Sequence, residues 1–274
     1  IIQHFNMDLR NRSSLKFVQF GLKCISFLSG VKLEVNGKEN IPNQACLFVA
    51  NHISFFDIVV TYPLMISPTG YIAKKELEKV PFLSWIMRFV NCIFLDRKDP
   101  RNGLKAVLSA ADMIKSGISV FLFPEGTRSK TGKMGEFKDG GFKIATKSKA
   151  PVVPVGITGT NDILENHFPF IKSGKVIVSF GKPAGKLLAQ PVRFLQHRLR
   201  NHIQITAGFD GQPHTTQFRK LPYKLPLHSL IIPEKVAGSQ QKIPRGKPIV
   251  GIGIIDNIDI GDFRLQIGGI RHKL

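Results

Sequence analysis

Along the first two thirds of the chain, short and uniformly apolar segments alternate with longer segments that have one apolar side. The first kind predicts buried strands, and the second kind predicts helices packed on a sheet. The predicted strands are residues 46–49, 70–73, 93–95, 120–123, 152–155 and 176–180. The predicted helices are residues 57–65, 81–90, 103–115, 142–148 and 191–206. Strands that alternate with helices at these intervals predict a layered α/β domain.

Residues 15–33 have the pattern of an amphipathic helix. Its polar positions are Lys16, Gln19, Lys23 and Ser26, and its apolar positions include Phe17, Phe20, Ile25, Phe27 and Leu28. This pattern is typical of a helix that lies in a membrane interface with its lysines toward the lipid headgroups. A helix packed on the core is the alternative. The segment lacks the roughly 18 uninterrupted apolar residues of a membrane-spanning helix.

These patterns divide the chain into three regions. We expect residues 1–30 to form a membrane-associating helical element, truncated at its start because the chain begins at Ile1 instead of Met. Residues 31–207 are expected to form the layered domain. Beyond Gly208 the helical period is lost and prolines recur, so residues 208–274 are expected to be a basic tail rich in Pro and Gly. The pattern assigns no role to this tail.

Charge and cysteine content narrow the choice of partners and compartment. Lys and Arg number 39 against 19 Asp and Glu, which gives a formal net charge of +20. Such a charge favours an anionic partner, which can be nucleic acid, an acidic membrane surface or a phosphorylated substrate. The three cysteines, Cys24, Cys46 and Cys92, are widely spaced and form no CxxC pair. This spacing argues against a disulfide framework or a zinc site and favours a reducing compartment.

His52 and Asp57 are the first candidates for chemistry, because His52 follows a predicted strand at the end where α/β folds place their sites. On one continuous helix the two side chains would point about 140° apart. They can pair only if His52 lies in the turn and Asp57 in the first turn of the helix. Asp57 would then fix the imidazole tautomer and leave the other ring nitrogen as a base. The structural alternative is a capping box formed by Ser54 and Asp57.

A second polar motif follows the predicted strand at residues 120–123. Its Gly126 allows a ligand to approach the backbone closely, and Arg128 offers a planar set of donors suited to phosphate or carboxylate. Arg97 likewise lies just past a predicted strand. The two arginines and the His–Asp pair would form an anion-binding catalytic pocket if these strand ends share one edge of the sheet. Otherwise, the motif is a polar turn with surface charges.

Four motifs in order resemble those of the glycerolipid acyltransferases, and most closely the 1-acyl-sn-glycerol-3-phosphate acyltransferases. The motifs are Asn51-His52-x-x-x-x-Asp57, Phe94-Leu95-Asp96-Arg97, Phe123-Pro124-Glu125-Gly126-Thr127-Arg128-Ser129 and Val153-Pro154-Val155. The similarity extends over residues 31–206. It implies a mixed central sheet flanked by helices and preceded by an amphipathic N-terminal helical element, with residues 31–207 as the catalytic domain.

The resemblance also implies a reaction and a set of roles. A fatty acyl chain would pass from a thioester to the sn-2 hydroxyl of 1-acylglycerol-3-phosphate, which gives phosphatidic acid. His52 would be the general base and Asp57 would orient it. The residues that would hold the glycerol-phosphate end are Arg97, Glu125, Gly126, Thr127 and Arg128, and those near the acyl chain or donor are Val153 and Pro154.

No cofactor or metal is implied, because the thioester is already activated, and the donor would be acyl-CoA or an acylated acyl carrier protein. The implied location is the cytoplasmic face of the cell membrane, where the protein would be peripheral or monotopic and would contact anionic lipids. Another lysophospholipid or glycerol-3-phosphate is the alternative acceptor, although Gly126 and Arg128 favour a phosphate monoester. A nucleic-acid-binding protein would explain the charge. It is disfavoured because no nucleic-acid motif is present and the aromatic residues lie in apolar runs.

Overall fold

The computed structural model describes residues 7–129, 131–184, 199–201, 203 and 204, all within one unit of residues 1–221. The predicted tail at residues 208–274 lies outside the described residues. Of the predicted helix at residues 191–206, only residues 199–201, 203 and 204 are described, and they are helical.

A seven-stranded mixed sheet forms the centre of the described part of the chain. Its strands are β1 Val31–Asn36, β2 Leu47–Ala50, β3 Thr69–Lys74, β4 Ile93–Leu95, β5 Ser119–Leu122, β6 Val152–Thr158 and β7 Gly174–Phe180. Their spatial order is β1-β7-β6-β2-β5-β3-β4. Neighbouring strands are parallel except β6 and β7, which are antiparallel. The predicted fold class, a mixed α/β sheet flanked by helices, is confirmed.

Because the sheet is mixed, carboxyl ends of some strands and amino ends of others lie along the same edge. Strands β2 to β6 all run the same way, so their carboxyl ends share this edge. Since β7 is antiparallel to β6 and β1 is parallel to β7, the amino ends of β1 and β7 lie there too. We call this edge, with the carboxyl ends of β2 to β6 and the amino ends of β1 and β7, the top edge.

Besides the helical residues 199–201, 203 and 204, five α-helices lie among the described residues. They are α1 Met7–Leu28, α2 Phe56–Thr61, α3 Leu83–Phe89, α4 Pro100–Lys115 and α5 Asp139–Ser148. Short 3₁₀ turns occupy Lys38–Asn40, Tyr62–Leu64, Lys75–Lys79 and Glu165–His167. None of the helices in the described ranges combines the length and the apolar character needed to cross a membrane.

Several predicted helix boundaries were wrong. The helices predicted from residues 81, 103 and 142 begin at Leu83, Pro100 and Asp139. Two predicted carboxyl ends were wrong for identifiable reasons. The helix predicted at residues 57–65 ends at Thr61 and continues as a 3₁₀ turn, because Pro63 lacks the N–H that a helix interior requires. The helix predicted at residues 15–33 ends at Leu28, and Gly30 then adopts a left-handed backbone with φ of 64°. The alternating residues that follow form β1, a strand that the sequence analysis missed.

Helices cover both faces of the sheet. Successive side chains of the central strands point to opposite sides, so each of these strands contributes to both cores. Phe48 and Phe121 belong to the core on the face covered by α1 and α2. The alternate residues Leu47 and Val120 belong to the core on the face covered by α4 and α5. Helix α1 has one side packed on the core and other apolar side chains that are exposed. Its Leu15, Val18 and Leu22 pack on the core, whereas Phe17, Phe20, Phe27 and Leu28 are exposed.

Gly70 marks a close approach between β3 and the chain after α3. A Cβ atom at this position would overlap the carbonyl oxygen of Asn91 and lie 2.8 Å from the Cε atom of Met113. By contrast, a Cβ atom at Gly103 in α4 would meet no atom within 4 Å. An added methyl group would therefore overlap other atoms at Gly70 but not at Gly103.

We expect Gly70→Ala to lower the free energy of unfolding by about 1–3 kcal/mol, because the added methyl group has no space in the packed strand. The matched variant Gly103→Ala should raise it by up to ~1 kcal/mol, because alanine favours the helix. Urea unfolding monitored by circular dichroism measures both effects. Equal unfolding midpoints for the two variants would contradict the close packing at Gly70.

Candidate active site

His52 and Asp57 are paired at the top edge. His52 lies in the turn after β2, and Asp57 lies in the first turn of α2, which is the arrangement that their pairing requires. The imidazole Nδ1 atom is 2.7 Å from the Asp57 Oδ2 atom. The Asp57 side chain is completely buried and the His52 side chain is 16% exposed. The pair thus has a shielded carboxylate and an imidazole that solvent or a ligand can reach.

The Asp57 carboxylate is the most heavily bonded group of the site. Its Oδ2 atom accepts hydrogen bonds from His52 Nδ1 and from the backbone N–H groups of Ile53, at 2.8 Å, and Ser54, at 2.9 Å. Its Oδ1 atom accepts a hydrogen bond from Thr160 Oγ1 at 2.5 Å. The bond from Ser54 N–H is the carboxylate half of the capping box. Helix capping and imidazole pairing are therefore functions of the same carboxylate and do not exclude each other.

This arrangement determines the state of the imidazole. Because Asp57 accepts a hydrogen bond at Nδ1, that nitrogen carries the proton and Nε2 is left as a base. The ring stacks on Phe123, with centroids 4.1 Å apart and an angle of 17° between the planes. Within the described residues, no hydrogen bond to Nε2 is formed. The imidazole is thus held in one orientation with its basic nitrogen available.

Glu125 supports the turn that carries His52. Its Oε1 atom accepts a hydrogen bond from the His52 backbone N–H at 2.7 Å, and its Oε2 atom accepts one from Gly135 at 2.7 Å. The side chain is only 4% exposed. Burial raises the pKa of the Glu125 carboxyl, and the two backbone donors oppose this rise. Both oxygens are engaged with the backbone, so Glu125 is placed to hold the His52 turn.

Arg128 is fixed by two contacts. Its Nη1 atom donates a hydrogen bond to Glu165 Oε1 at 2.9 Å, and its guanidinium carbon lies 3.7 Å above the centre of the Phe55 ring. Glu165 Oε1 also accepts a hydrogen bond from the Phe55 backbone N–H at 2.9 Å. The side chain is 38% exposed, and the rest of its planar donor set makes no hydrogen bond to the described residues. An anion can therefore bind to this free part of the guanidinium.

The loop between Glu125 and Arg128 brings a further cation to the site. Gly126 has a left-handed backbone with φ of 73°, and a Cβ atom there would lie 3.3 Å from the Lys138 Nζ atom. The Lys138 side chain therefore packs directly on the half-buried backbone of Gly126. Thr127 is exposed in the same loop. Sequence reasoning did not identify Lys138, although it directly follows the buried Phe137.

The other predicted site residues lie farther from His52. Arg97 is exposed after β4, and β4 is three strands away from β2 in the sheet, or about 14 Å. Val153 pairs with Phe48 within the sheet. It is therefore about 7 Å from the end of β2 along the strand direction, and its side chain is fully buried. Pro154 is the next residue of β6. The roles of Arg97, Val153 and Pro154 stay predictions.

Sequence reasoning missed Thr160 and Glu165, which contact Asp57 and Arg128. Both lie beyond the strand predicted at residues 152–155, which extends to Thr158. A signal was present, because a polar segment at residues 158–162 directly follows a buried strand that was expected to be parallel to its neighbours. In the described ranges, no group of three or more His, Cys, Asp and Glu residues is arranged to hold a metal ion.

Part of this chain matches a known protein family. Residues 32–158 match the model of the acyltransferase family. A chloroplastic 1-acyl-sn-glycerol-3-phosphate acyltransferase of Brassica napus is 37% identical over 183 residues, which are 64% of this chain and 52% of the relative. The 1-acyl-sn-glycerol-3-phosphate acyltransferase of Pseudomonas aeruginosa is 34% identical over 138 residues, which are 50% of this chain and 53% of the relative.

One solved structure is similar to this chain over most of the length of both proteins. It is the crystal structure of the 1-acyl-sn-glycerophosphate acyltransferase from Thermotoga maritima, with a TM-score of 0.66 and 28% identity over 75% of this chain and 83% of that chain. Residues 32–158 of this chain therefore resemble the acyltransferase family. The relatives named here are 1-acyl-sn-glycerol-3-phosphate acyltransferases, and the chain spans about half the length of the two curated ones.

The hydrogen bond from Thr160 to Asp57 can be tested by two matched variants. Thr160→Val keeps the volume and removes the hydroxyl, so the buried Oδ1 atom loses its donor and the imidazole becomes less well oriented. We expect it to lower the turnover of acyl transfer, the reaction for which the relatives are named, by about tenfold. Thr160→Ser keeps the hydroxyl and should stay within about twofold of the original protein. Equal turnover of the two variants would show that Asp57 does not depend on this hydroxyl.

Proposed function

We propose that this protein transfers a fatty acyl chain from an acyl thioester to the sn-2 hydroxyl of 1-acylglycerol-3-phosphate, which gives phosphatidic acid. The observation that carries the proposal is the pairing of His52 Nδ1 with the buried Asp57 carboxylate at 2.7 Å, which leaves Nε2 as a base. The family match extends over both residues. The names of the relatives supply the acceptor, 1-acyl-sn-glycerol-3-phosphate.

The chemistry of the pair fits this reaction. The acceptor alcohol is a poor nucleophile at neutral pH, so His52 Nε2 removes its proton while the oxygen attacks the thioester carbonyl. Asp57 stabilises the imidazolium that forms. The tetrahedral intermediate then collapses, the carbon–sulfur bond breaks, and the departing thiolate takes the proton from Nε2. A positioned base of this kind typically contributes roughly 10²–10⁴-fold to the rate.

The surroundings of the pair support the same mechanism. The hydrogen bonds to Asp57 from Ile53, Ser54 and Thr160 exist before the reaction. The carboxylate therefore needs no rearrangement when the imidazole becomes charged. Phe123 stacks on the imidazole and limits rotation of the ring.

The phosphate of the acceptor is proposed to bind at the loop after β5. Arg128 supplies planar donors, Gly126 allows close approach to the backbone, and Thr127 adds an exposed hydroxyl. Lys138 adds a second positive charge beside Gly126. Glu125 contributes through the His52 turn, whose backbone N–H it binds. Arg97 is proposed to act farther along the top edge, and Val153 and Pro154 near the acyl chain or donor.

The protein is proposed to work at a lipid surface. Residues 1–30 would be the membrane-associating element, since several apolar side chains of α1 are exposed and the net charge of +20 favours anionic lipids. We place the protein at the cytoplasmic face of the cell membrane, as a peripheral or monotopic enzyme. Acyl-CoA or acylated acyl carrier protein would be the donor.

An acyl-transfer assay with the complete chain tests the proposal. Lysophosphatidic acid, lysophosphatidylcholine and glycerol-3-phosphate serve as acceptors, each with acyl-CoA and with acylated acyl carrier protein. We expect transfer to lysophosphatidic acid to be fastest. Faster transfer to another acceptor would replace the proposed substrate, and no transfer to any of them would refute the proposed activity.

His52→Ala should reduce turnover by about 10²–10⁴-fold, because it removes the base without touching the buried core. His167→Ala, at an exposed histidine of the 3₁₀ turn Glu165–His167, is the matched control and should keep full turnover. Thermal unfolding checks that both variants are folded. Turnover of the His52 variant within tenfold of the original would be incompatible with a general-base role.

Arg128→Ala should raise the KM for lysophosphatidic acid by about tenfold or more, because charge-assisted hydrogen bonds to the phosphate are lost. Arg101→Ala, at an exposed arginine of α4, should leave this KM unchanged. Initial rates over a range of acceptor concentrations measure both constants. Equal KM values for the two variants would show that Arg128 does not bind the phosphate.

A further inference from the structure

The loop between β6 and β7, residues 159–173, exposes three large apolar side chains. Phe168 is 76% exposed, Phe170 is 75% exposed and Ile171 is 54% exposed. We call residues 168–171 the apolar tip. Single apolar residues on a surface are common, but several within four positions mark a surface that contacts an apolar partner.

The apolar tip lies beside the carboxyl end of α1. A Cβ atom at Gly30 would be 2.7 Å from the Cβ atom of Ser173, so the chain just after the tip packs against the chain just after α1. The parallel strands β1 and β7 begin directly afterwards, and Val31 pairs with Gly174. Phe27 and Leu28 at the end of α1 are both more than four fifths exposed. Two exposed apolar segments are therefore neighbours.

The same loop reaches the candidate active site. Its first part carries Thr160, bonded to Asp57, and Glu165, bonded to Arg128. Its last part leads into the amino end of β7, which lies at the top edge with His52. The apolar tip is thus on the side of the sheet where the acceptor must bind.

We propose that the apolar tip inserts into the interfacial region of an anionic lipid bilayer, next to the carboxyl end of α1. This inference rests on the proposed function, in which acceptor and product are both membrane lipids. Lys32 and Lys172 are exposed beside the two apolar segments, and the net charge is +20, so the surface complements anionic headgroups. The acceptor then reaches His52 from the bilayer with its acyl chain still in the apolar phase.

A pair of double variants tests the contribution of the tip to binding. Phe168→Ser with Phe170→Ser should weaken binding to vesicles of equal parts phosphatidylcholine and phosphatidylglycerol by about tenfold or more. Leu104→Ser with Leu108→Ser, at exposed leucines of α4, should change it by less than about twofold. Vesicle sedimentation measures binding, and circular dichroism confirms folding. Unchanged binding of the tip variant would overturn the proposal.

Fluorescence tests the insertion directly. The chain has a single tryptophan, so Phe170→Trp in a Trp85→Phe background reports on the tip alone. Lipids brominated on their acyl chains should quench this tryptophan, and they should not quench Leu108→Trp in the same background. Equal quenching at the two positions would contradict insertion. Loss of a dimer in analytical ultracentrifugation with intact vesicle binding would make the tip a self-association surface and overturn the proposal.

Activity measurements separate this inference from the proposed function. A short-chain lysophosphatidic acid dispersed as monomers should be acylated equally by the original protein and the tip variant, because it needs no bilayer. The long-chain acceptor in vesicles should be acylated several-fold more slowly by the tip variant. If the original protein acylates neither acceptor, the proposed function fails while the vesicle-binding result stands. If it acylates both and the variant behaves identically, only the inference fails.

Discussion

The site depends on one buried carboxylate, that of Asp57. An ionised group without solvent contact is costly unless hydrogen bonds replace its hydration. Asp57 meets this condition with donors from the His52 turn, from the start of α2 and from Thr160. These donors come from the loop after β2 and from the loop after β6. The carboxylate therefore joins two parts of the top edge that are more than a hundred residues apart in the chain.

Glu125 repeats this principle one strand away. Its two oxygens accept backbone N–H groups from the His52 turn and from Gly135. Asp57 thus fixes the imidazole, and Glu125 fixes the backbone that carries it. The orientation of the His52 imidazole is set by two buried carboxylates from neighbouring loops, while the cations Arg128 and Lys138 lie on the more exposed side of the same loops.

The sequence predicted the features that depend on local pattern. Six of the seven strands were visible as apolar runs, and the His52–Asp57 pair follows from a spacing of five residues at a strand end. The missed strand β1 alternates apolar and polar residues directly after α1, so its start merged with the helical pattern. The polar segment after β6 was visible, but the partners of Thr160 and Glu165 were not, because they lie 103 and 37 residues away in sequence. Only the strand order of the folded sheet brings them together.

The reversal of strand direction between β6 and β7 determines where the apolar tip lies relative to His52. Val155 to Thr158 are held opposite Phe180 to Ile177 by a fixed ladder of hydrogen bonds. The separation between the apolar tip and the base after β2 is therefore set by strand register, not by a flexible linker. A slip of one residue would shift β7 by about 3.4 Å and turn its core side chains to the opposite face. The buried side chains of Val176 and Val178 oppose such a slip. Core packing therefore fixes the distance between His52 and the apolar tip along the strand direction.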